Sequence, residues 1–265
     1  MNSNNDFSFN WGAVTLLDFL GWKGIWMNDY KKHSHSDSSF NLESLKLLAK
    51  LIGEAEEIYR KKCVEYTIKM NDTCQVDNDD GCDFISISDT IAIFTPCDNN
   101  EASNYAVLKQ HSEICSAILD KSAEEGFALR GAITIGDYAC LKNIIVGPGV
   151  DECSSWYEQT DWLGVIFAPS AQFVIDEQRN KAEGADNEQT RNGQILWNDS
   201  KIVEYHNIPA KNGVRGIRYC VDWGNDTEIL NKILKNTISL SRDIAIKYIN
   251  TNNYLYALRP RKDSQ

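Results

Sequence analysis

The chain has 265 residues, with 27 Lys and Arg against 38 Asp and Glu and a formal net charge of −11. An acidic surface of that size repels nucleic acid and anionic membrane, which excludes both as the main partner. No stretch approaches the roughly 20 apolar residues that a membrane span requires.

No linker rich in Gly, Pro or Ser divides the sequence and no internal repeat is visible. One domain is therefore expected, with its core over about residues 11–223 and a C-terminal helix over about 227–250. The start, Met1-Asn2-Ser3-Asn4-Asn5-Asp6, lacks the basic region of a signal peptide, so the expected location is cytoplasmic. The eight cysteines show no C-x-x-C and no zinc-finger spacing, and they read as free thiols, several in apolar settings.

In chain order, residues 12–20 read as a buried strand carrying one carboxylate, Asp18, followed by Gly21-Trp22-Lys23-Gly24. A carboxylate at the end of a core strand is costly to bury without a compensator, and a metal ion is one compensator. The glycines permit close approach of a ligand to the backbone, and N–H groups at a helix start would face an anion. The alternative is an ordinary strand end whose Asp caps the next helix.

Residues 26–39 are polar, and His33-Ser34-His35 within them reads as solvated loop rather than a metal pair. Leu42, Leu45, Leu48, Ile52, Ala55 and Ile58 recur at helical spacing and predict a helix over 41–62. Residues 64–69 alternate like a strand. The acidic stretch Asn71 to Gly81 misses the calcium-loop pattern and reads as an exposed hairpin loop. Residues 83–95 have period two on both sides of Ser88-Asp89, which puts a second carboxylate inside a strand or at a tight turn within it.

A second helix is expected over 103–125, ended by Gly126, with His111 on its apolar face as a core histidine. A strand over 127–137 and the short Ile144-Ile145-Val146 follow. Gly147-Pro148-Gly149 leads into a helix ending near Tyr157-Glu158. Trp162 to Phe167 reads as a strand, and the aperiodic 177–194 as a mobile surface loop. Lys201 to His206 and Gly216 to Trp223 alternate like strands before the final helix.

Strand, helix, strand, strand, helix, strand is the βαββαβ arrangement of α+β ferredoxin-like and palm domains. In that fold the strand of Asp18 and the hairpin of Asp89 are neighbours, and two converging aspartates can bind two Mg²⁺ or Mn²⁺ ions.

Taken together, these motifs resemble a class III nucleotidyl cyclase over roughly residues 11–170. Asp18-Phe19-Leu20-Gly21-Trp22 resembles the family's Asp-(apolar)-x-Gly-Phe, and Ser88-Asp89 its Gly-Asp at the central hairpin. Arg130-Gly131-Ala132-Ile133-Thr134-Ile135-Gly136 resembles its Arg-(Val/Ile)-Gly-Ile-x-x-Gly strand. Gly147-Pro148-Gly149-Val150-Asp151 resembles its Gly-x-x-Val-Asn.

Ile85 and Ile144 stand where purine cyclases carry the polar side chains that read the base, and two apolar residues cannot tell adenine from guanine by hydrogen bonds, which leaves an inactive enzyme or one that reads a different base by other means. The tract Asp151 to Glu158, then Trp162-Leu163-Gly164-Val165, and Val203 to Gly213 resemble the bacterial antiphage pyrimidine cyclases, the Pycsar cyclases. That resemblance implies conversion of UTP or CTP to a 3′,5′-cyclic mononucleotide, read by a separate effector protein. It also implies a homodimer with active sites at the interface.

The same resemblance assigns roles. Asp18 and Asp89, with a backbone carbonyl near Phe19, would hold two Mg²⁺ or Mn²⁺ ions. The backbone N–H groups of Phe19, Leu20, Gly21 and Trp22 would cradle the phosphates. Lys211, and Lys23 beside the phosphate loop, are candidate cationic phosphate partners. Purine enzymes carry an Asn and an Arg that stabilise the transition state, and here Asp151 and Ser155 occupy those positions. Either another cation, Arg130 or a residue of a second subunit, takes over, or turnover is slow.

Overall fold

The computed structural model describes residues 8–21, 27, 43–71, 83–141, 144–184, 200–224, 228–236 and 242–258. The expected loops at 26–39 and 71–81, with Trp22, Lys23, His33 and His35, fall almost wholly outside the described residues. The fold is α+β, as expected. Its first half runs β1 (Asn10–Phe19), α1 (Glu43–Asn71), β2 (Asp83–Ile87), β3 (Thr90–Pro96), α2 (Glu101–Glu124), β4 (Leu129–Leu141). The second half runs β5 (Ile144–Val146), α3 (Pro148–Tyr157), β6 (Gly164–Phe167), α4 (Pro169–Gly184), β7 (Ile202–Glu204), β8 (Tyr219–Val221), α5 (Glu228–Asn236), α6 (Arg242–Leu258).

One sheet takes the order β2-β3-β1-β4-β6-β8-β7, with β5 paired to the far end of β4. The first four strands are mutually antiparallel neighbours in the order that βαββαβ connectivity dictates. β1 lies in the middle, and Ala13, Val14 and Leu17 on it are fully buried, because both faces of this strand are covered. Thr15 faces α2, while Val14 lies in van der Waals reach of Gly149 in α3. Successive residues of a strand point to opposite faces, so Asp18 shares the α3 face with Val14.

On the α2 face the core encloses a polar knot. His111, wholly buried, shares hydrogen bonds with the hydroxyls of Thr15 at 2.7 Å and Thr95 at 2.9 Å. It is a core histidine, as its place on the apolar face of the helix suggested. Burial lowers its pKa from the usual 6.5 to about 3. The fold thus holds His111 neutral where the unfolded chain protonates it. Its contribution to stability is complete above about pH 6.5 and is lost as the pH falls towards 3, at up to ~1.4 kcal/mol per pH unit. Between pH 7 and 5 the unfolding free energy should drop by roughly 2 kcal/mol from this group, and urea titrations of His111→Gln should lack that increment.

Several elements differ from the sequence reading. α1 continues to Asn71, so residues 64–69 are helix and not a strand. No proline interrupts that stretch, and Lys62 pairs with Glu65 one turn on at 3.1 Å, so an established helix propagates through Val64, Tyr66, Thr67 and Ile68 despite their strand preference. Residues 177–184 complete α4 rather than forming a loop, and 185–194 lie outside the described residues. Their missing periodicity has a tertiary cause. The polar turns of α4 are held from other elements, Gln178 and Lys181 by Glu101, and Arg179 by Glu204.

Where one C-terminal helix over about 227–250 was expected, the described residues hold the helical segments α5 and α6, the second ending at Leu258. α6 is fastened to the sheet: Thr251 Oγ1 accepts from the Leu163 N–H at 2.8 Å, and the Tyr254 hydroxyl donates to the Val221 carbonyl at 3.1 Å. No described helix is long and apolar enough to cross a membrane.

Candidate active site

The site grows from the C-terminal end of β1. Asp18 lies in register with Thr90 of β3 on one side and with Arg130 of β4 on the other. Between β2 and β3, Ser88 and Asp89 form the two-residue turn of the hairpin, with Ser88 at φ 58°. The second carboxylate therefore sits at the turn and not within a strand. The Phe19 N–H donates to the Asp89 carbonyl at 3.0 Å, which pins the turn to the end of β1. Asp89 is thus brought beside Asp18 by sheet register, as the βαββαβ reading expected.

Arg130 is the compensator that the buried carboxylate required. Its Nε donates to Asp18 Oδ2 at 3.0 Å, and the two side chains are only 14% and 16% exposed. Burial raises the Asp18 pKa above the ordinary value, Arg130 opposes that shift, and the charges of Asp89 and Glu158 add to it. Arg130 also stands 5.2 Å over the Tyr157 ring, with Nη2 at 3.9 Å from Glu158 Oε1. Tyr157 and Glu158 end α3, and Thr134 on β4 holds the other end of that helix by donating to the Gly149 carbonyl at 2.9 Å.

The Glu158 carbonyl accepts from Lys211 Nζ at 2.7 Å, and Lys211 is also 3.9 Å from Asp161. Asp18, Arg130, Glu158 and Lys211 therefore form one chain of polar contacts. Tyr157 and Glu158 are the members that sequence reasoning missed. No sequence spacing could have revealed them, since the Arg130 that links them to Asp18 is 112 positions away from it.

The expected phosphate cradle is narrower than four amides. The Phe19 N–H is committed to Asp89, and the Leu20 N–H donates to the Ala128 carbonyl at 2.9 Å. The β2–β3 turn takes up the first of these groups and the residue just before β4 the second. Gly21 remains among the described residues. It turns the chain at φ 81°, and a Cβ placed there would meet nothing within 4 Å, so Gly21 itself faces open space among the described residues.

The other expected site residues lie elsewhere. Ile144 is on β5, paired with Leu141 at the far end of β4, roughly 35 Å along that strand from Arg130, and it is exposed. Asp151, exposed, is in the first turn of α3, about 9 Å along the helix from Tyr157, and its carbonyl accepts from the hydroxyls of Ser154 and Ser155. Ile85 is half-buried on β2, paired with Ala92. A single chain therefore does not gather Ile144 and Asp18 around one ligand.

Among the described residues no group of three or more His, Cys, Asp or Glu side chains converges as a metal site. Two neighbouring carboxylates nonetheless fit Mg²⁺ or Mn²⁺, hard cations that take one or two carboxylates and complete their shell with water and substrate phosphate.

No protein-family model matches the chain. No curated protein matches it either. Among solved structures, a class III adenylyl cyclase-like ATP-binding protein from Pseudomonas aeruginosa aligns at 11% identity and a TM-score of 0.37, over 65% of this chain and 37% of that one. An adenylate/guanylate cyclase/hydrolase from Silicibacter pomeroyi aligns at 13% identity and the same TM-score of 0.37, over 83% of this chain and all of that one. Overlap at that level carries no chemistry to this chain, whose own residues supply the case for function.

Proposed function

We propose that the chain is a nucleotidyl cyclase that converts UTP or CTP to the 3′,5′-cyclic mononucleotide and pyrophosphate. The observation that carries this reading is the juxtaposition of Asp18 and Asp89, fixed by the β1–β3 register and by the hydrogen bond from the Phe19 N–H to the Asp89 carbonyl at 3.0 Å. Two divalent cations, when bound, would activate the ribose 3′-hydroxyl and neutralise the triphosphate. Asp18 and Asp89 would hold them, and the open Gly21 turn would admit the phosphates. Arg130 and Lys211 supply positive charge at the rim. The 3′-oxygen bonds to the α-phosphorus, its proton passes to solvent, and the bond to the departing pyrophosphate breaks.

Ile85 and Ile144 cannot hydrogen-bond a base edge, which speaks against purine discrimination of the usual kind, and the pyrimidine substrate follows from the resemblance to the Pycsar cyclases. The distance along β4 between Ile144 and Arg130 favours a homodimer, in which the β5 end of one copy meets the Asp18 end of the other. By the resemblance to Pycsar cyclases, the product is a messenger in antiphage defence, read by a separate effector.

A second reading, a nucleotide-binding sensor without turnover, is favoured by the Arg130–Asp18 ion pair and by Asp151 and Ser155 where purine enzymes carry Asn and Arg. Incubation with UTP, CTP, ATP and GTP in Mn²⁺, followed by chromatography, separates the two. A cyclic pyrimidine product is the expected result. Tight nucleotide binding with no cyclic product selects the sensor, and a cyclic purine product overturns the specificity.

A further inference from the structure

We infer that Glu158 is a positioning residue that draws Arg130 away from Asp18 when divalent cations enter, Arg130 being the counter-ion of Asp18. The inference rests on the reading of Asp18 and Asp89 as cation ligands. Three observations carry it.

The first is competition for one oxygen. Arg130 Nε occupies Asp18 Oδ2 at 3.0 Å in a place largely shut off from water, so a cation arriving there meets both an occupied ligand and a like charge. The second is a receiver within reach. Arg130 Nη2 is 3.9 Å from Glu158 Oε1, an ion pair that falls short of a hydrogen bond, and the Glu158 side chain is 60% exposed and so has room to close the gap. The third is a pivot and an anchor. The Tyr157 ring lies under the guanidinium at 5.2 Å, and the Glu158 backbone is fixed as its carbonyl accepts from Lys211 at 2.7 Å. Rotation about the end of the Arg130 side chain therefore exchanges Asp18 for Glu158 with no movement of the backbone.

The test is Mg²⁺ binding to the nucleotide-free full-length chain, measured by calorimetry. Arg130→Gln should bind Mg²⁺ about tenfold more tightly than the native chain, and Glu158→Gln about tenfold more weakly. Asp161→Asn removes a neighbouring acidic charge that touches Lys211 and Lys247 rather than Arg130, and it should stay within about twofold of native. A direct readout is the ¹⁵N resonance of the Arg130 Nε–H, which should shift on Mg²⁺ saturation in the native chain and much less in Glu158→Gln. Should Arg130→Gln fail to fold, Arg130→Lys keeps the charge, loses the Nε hydrogen bond and should still tighten Mg²⁺.

Equal Mg²⁺ affinity in Glu158→Gln and Asp161→Asn, or an Arg130 resonance that ignores Mg²⁺, overturns the inference alone. A native chain whose Mg²⁺ uptake is absent, or is untouched by Asp18→Asn, overturns it together with the cation-ligand reading.

Discussion

Asp18→Asn is expected to lower cyclic nucleotide formation by about 10³-fold or more, while the chain stays folded. The asparagine keeps an oxygen where Oδ2 lies, so the Arg130 Nε–H still has an acceptor, and the Arg130 charge is still met by Glu158 and the Tyr157 ring. What is lost is the anionic ligand beside Asp89. Asp18→Ala would instead leave a guanidinium only 14% exposed without its principal partner, and breaking such a buried pair costs about 3–5 kcal/mol. Stability and catalysis would then be confounded, which makes the asparagine the sharper substitution. The measurement is product formation per folded molecule, with the melting temperature as control. Native turnover in Asp18→Asn would exclude a role in binding the cation.

Gly131→Ala should fail in the opposite way, by loss of stability. β4 passes β1 so closely at this residue that a Cβ would lie 2.4 Å from the Leu16 carbonyl oxygen and 2.7 Å from Leu17 Cδ2. A backbone oxygen inside the sheet cannot yield as a flexible side chain can, so the two central strands must separate. The expected cost is about 3 kcal/mol or more. For a chain of this size that is a fall of roughly 6–12 °C in melting temperature. Arg130 is the preceding residue and is registered with Asp18, so the same displacement opens the ion pair and activity falls with stability. A Gly131→Ala protein that melts as the native chain does would refute the close approach of β1 and β4.

These outcomes divide the molecule between what its sequence announces and what folding adds. The buried β1, the two apolar runs of 83–95, the helix before Gly126 and the candidate aspartates were legible, because period two, period 3.6 and an acidic residue in an apolar run are local signals, while the turn at Ser88-Asp89 was one of two readings. The sequence also marked His111 as a core residue. The continuation of α1 past residue 62 and of α4 past residue 177 was not legible. At 64–69 helix propagation overrides an alternating run of β-prone residues, and at 177–184 the aperiodic polar turns are held by ion pairs to Glu101 and Glu204.

The sequence by itself determined that Asp18 would need a compensating charge, since carboxylate desolvation is a property of the residue and its apolar neighbours. Only the tertiary structure decided that Arg130 supplies that charge and that Glu158 and Tyr157 stand behind it. It also committed the Phe19 and Leu20 amides to neighbouring carbonyls rather than to phosphate. Pair contacts between antiparallel strands depend on register, and register is fixed by the packing of the whole sheet rather than by any single segment.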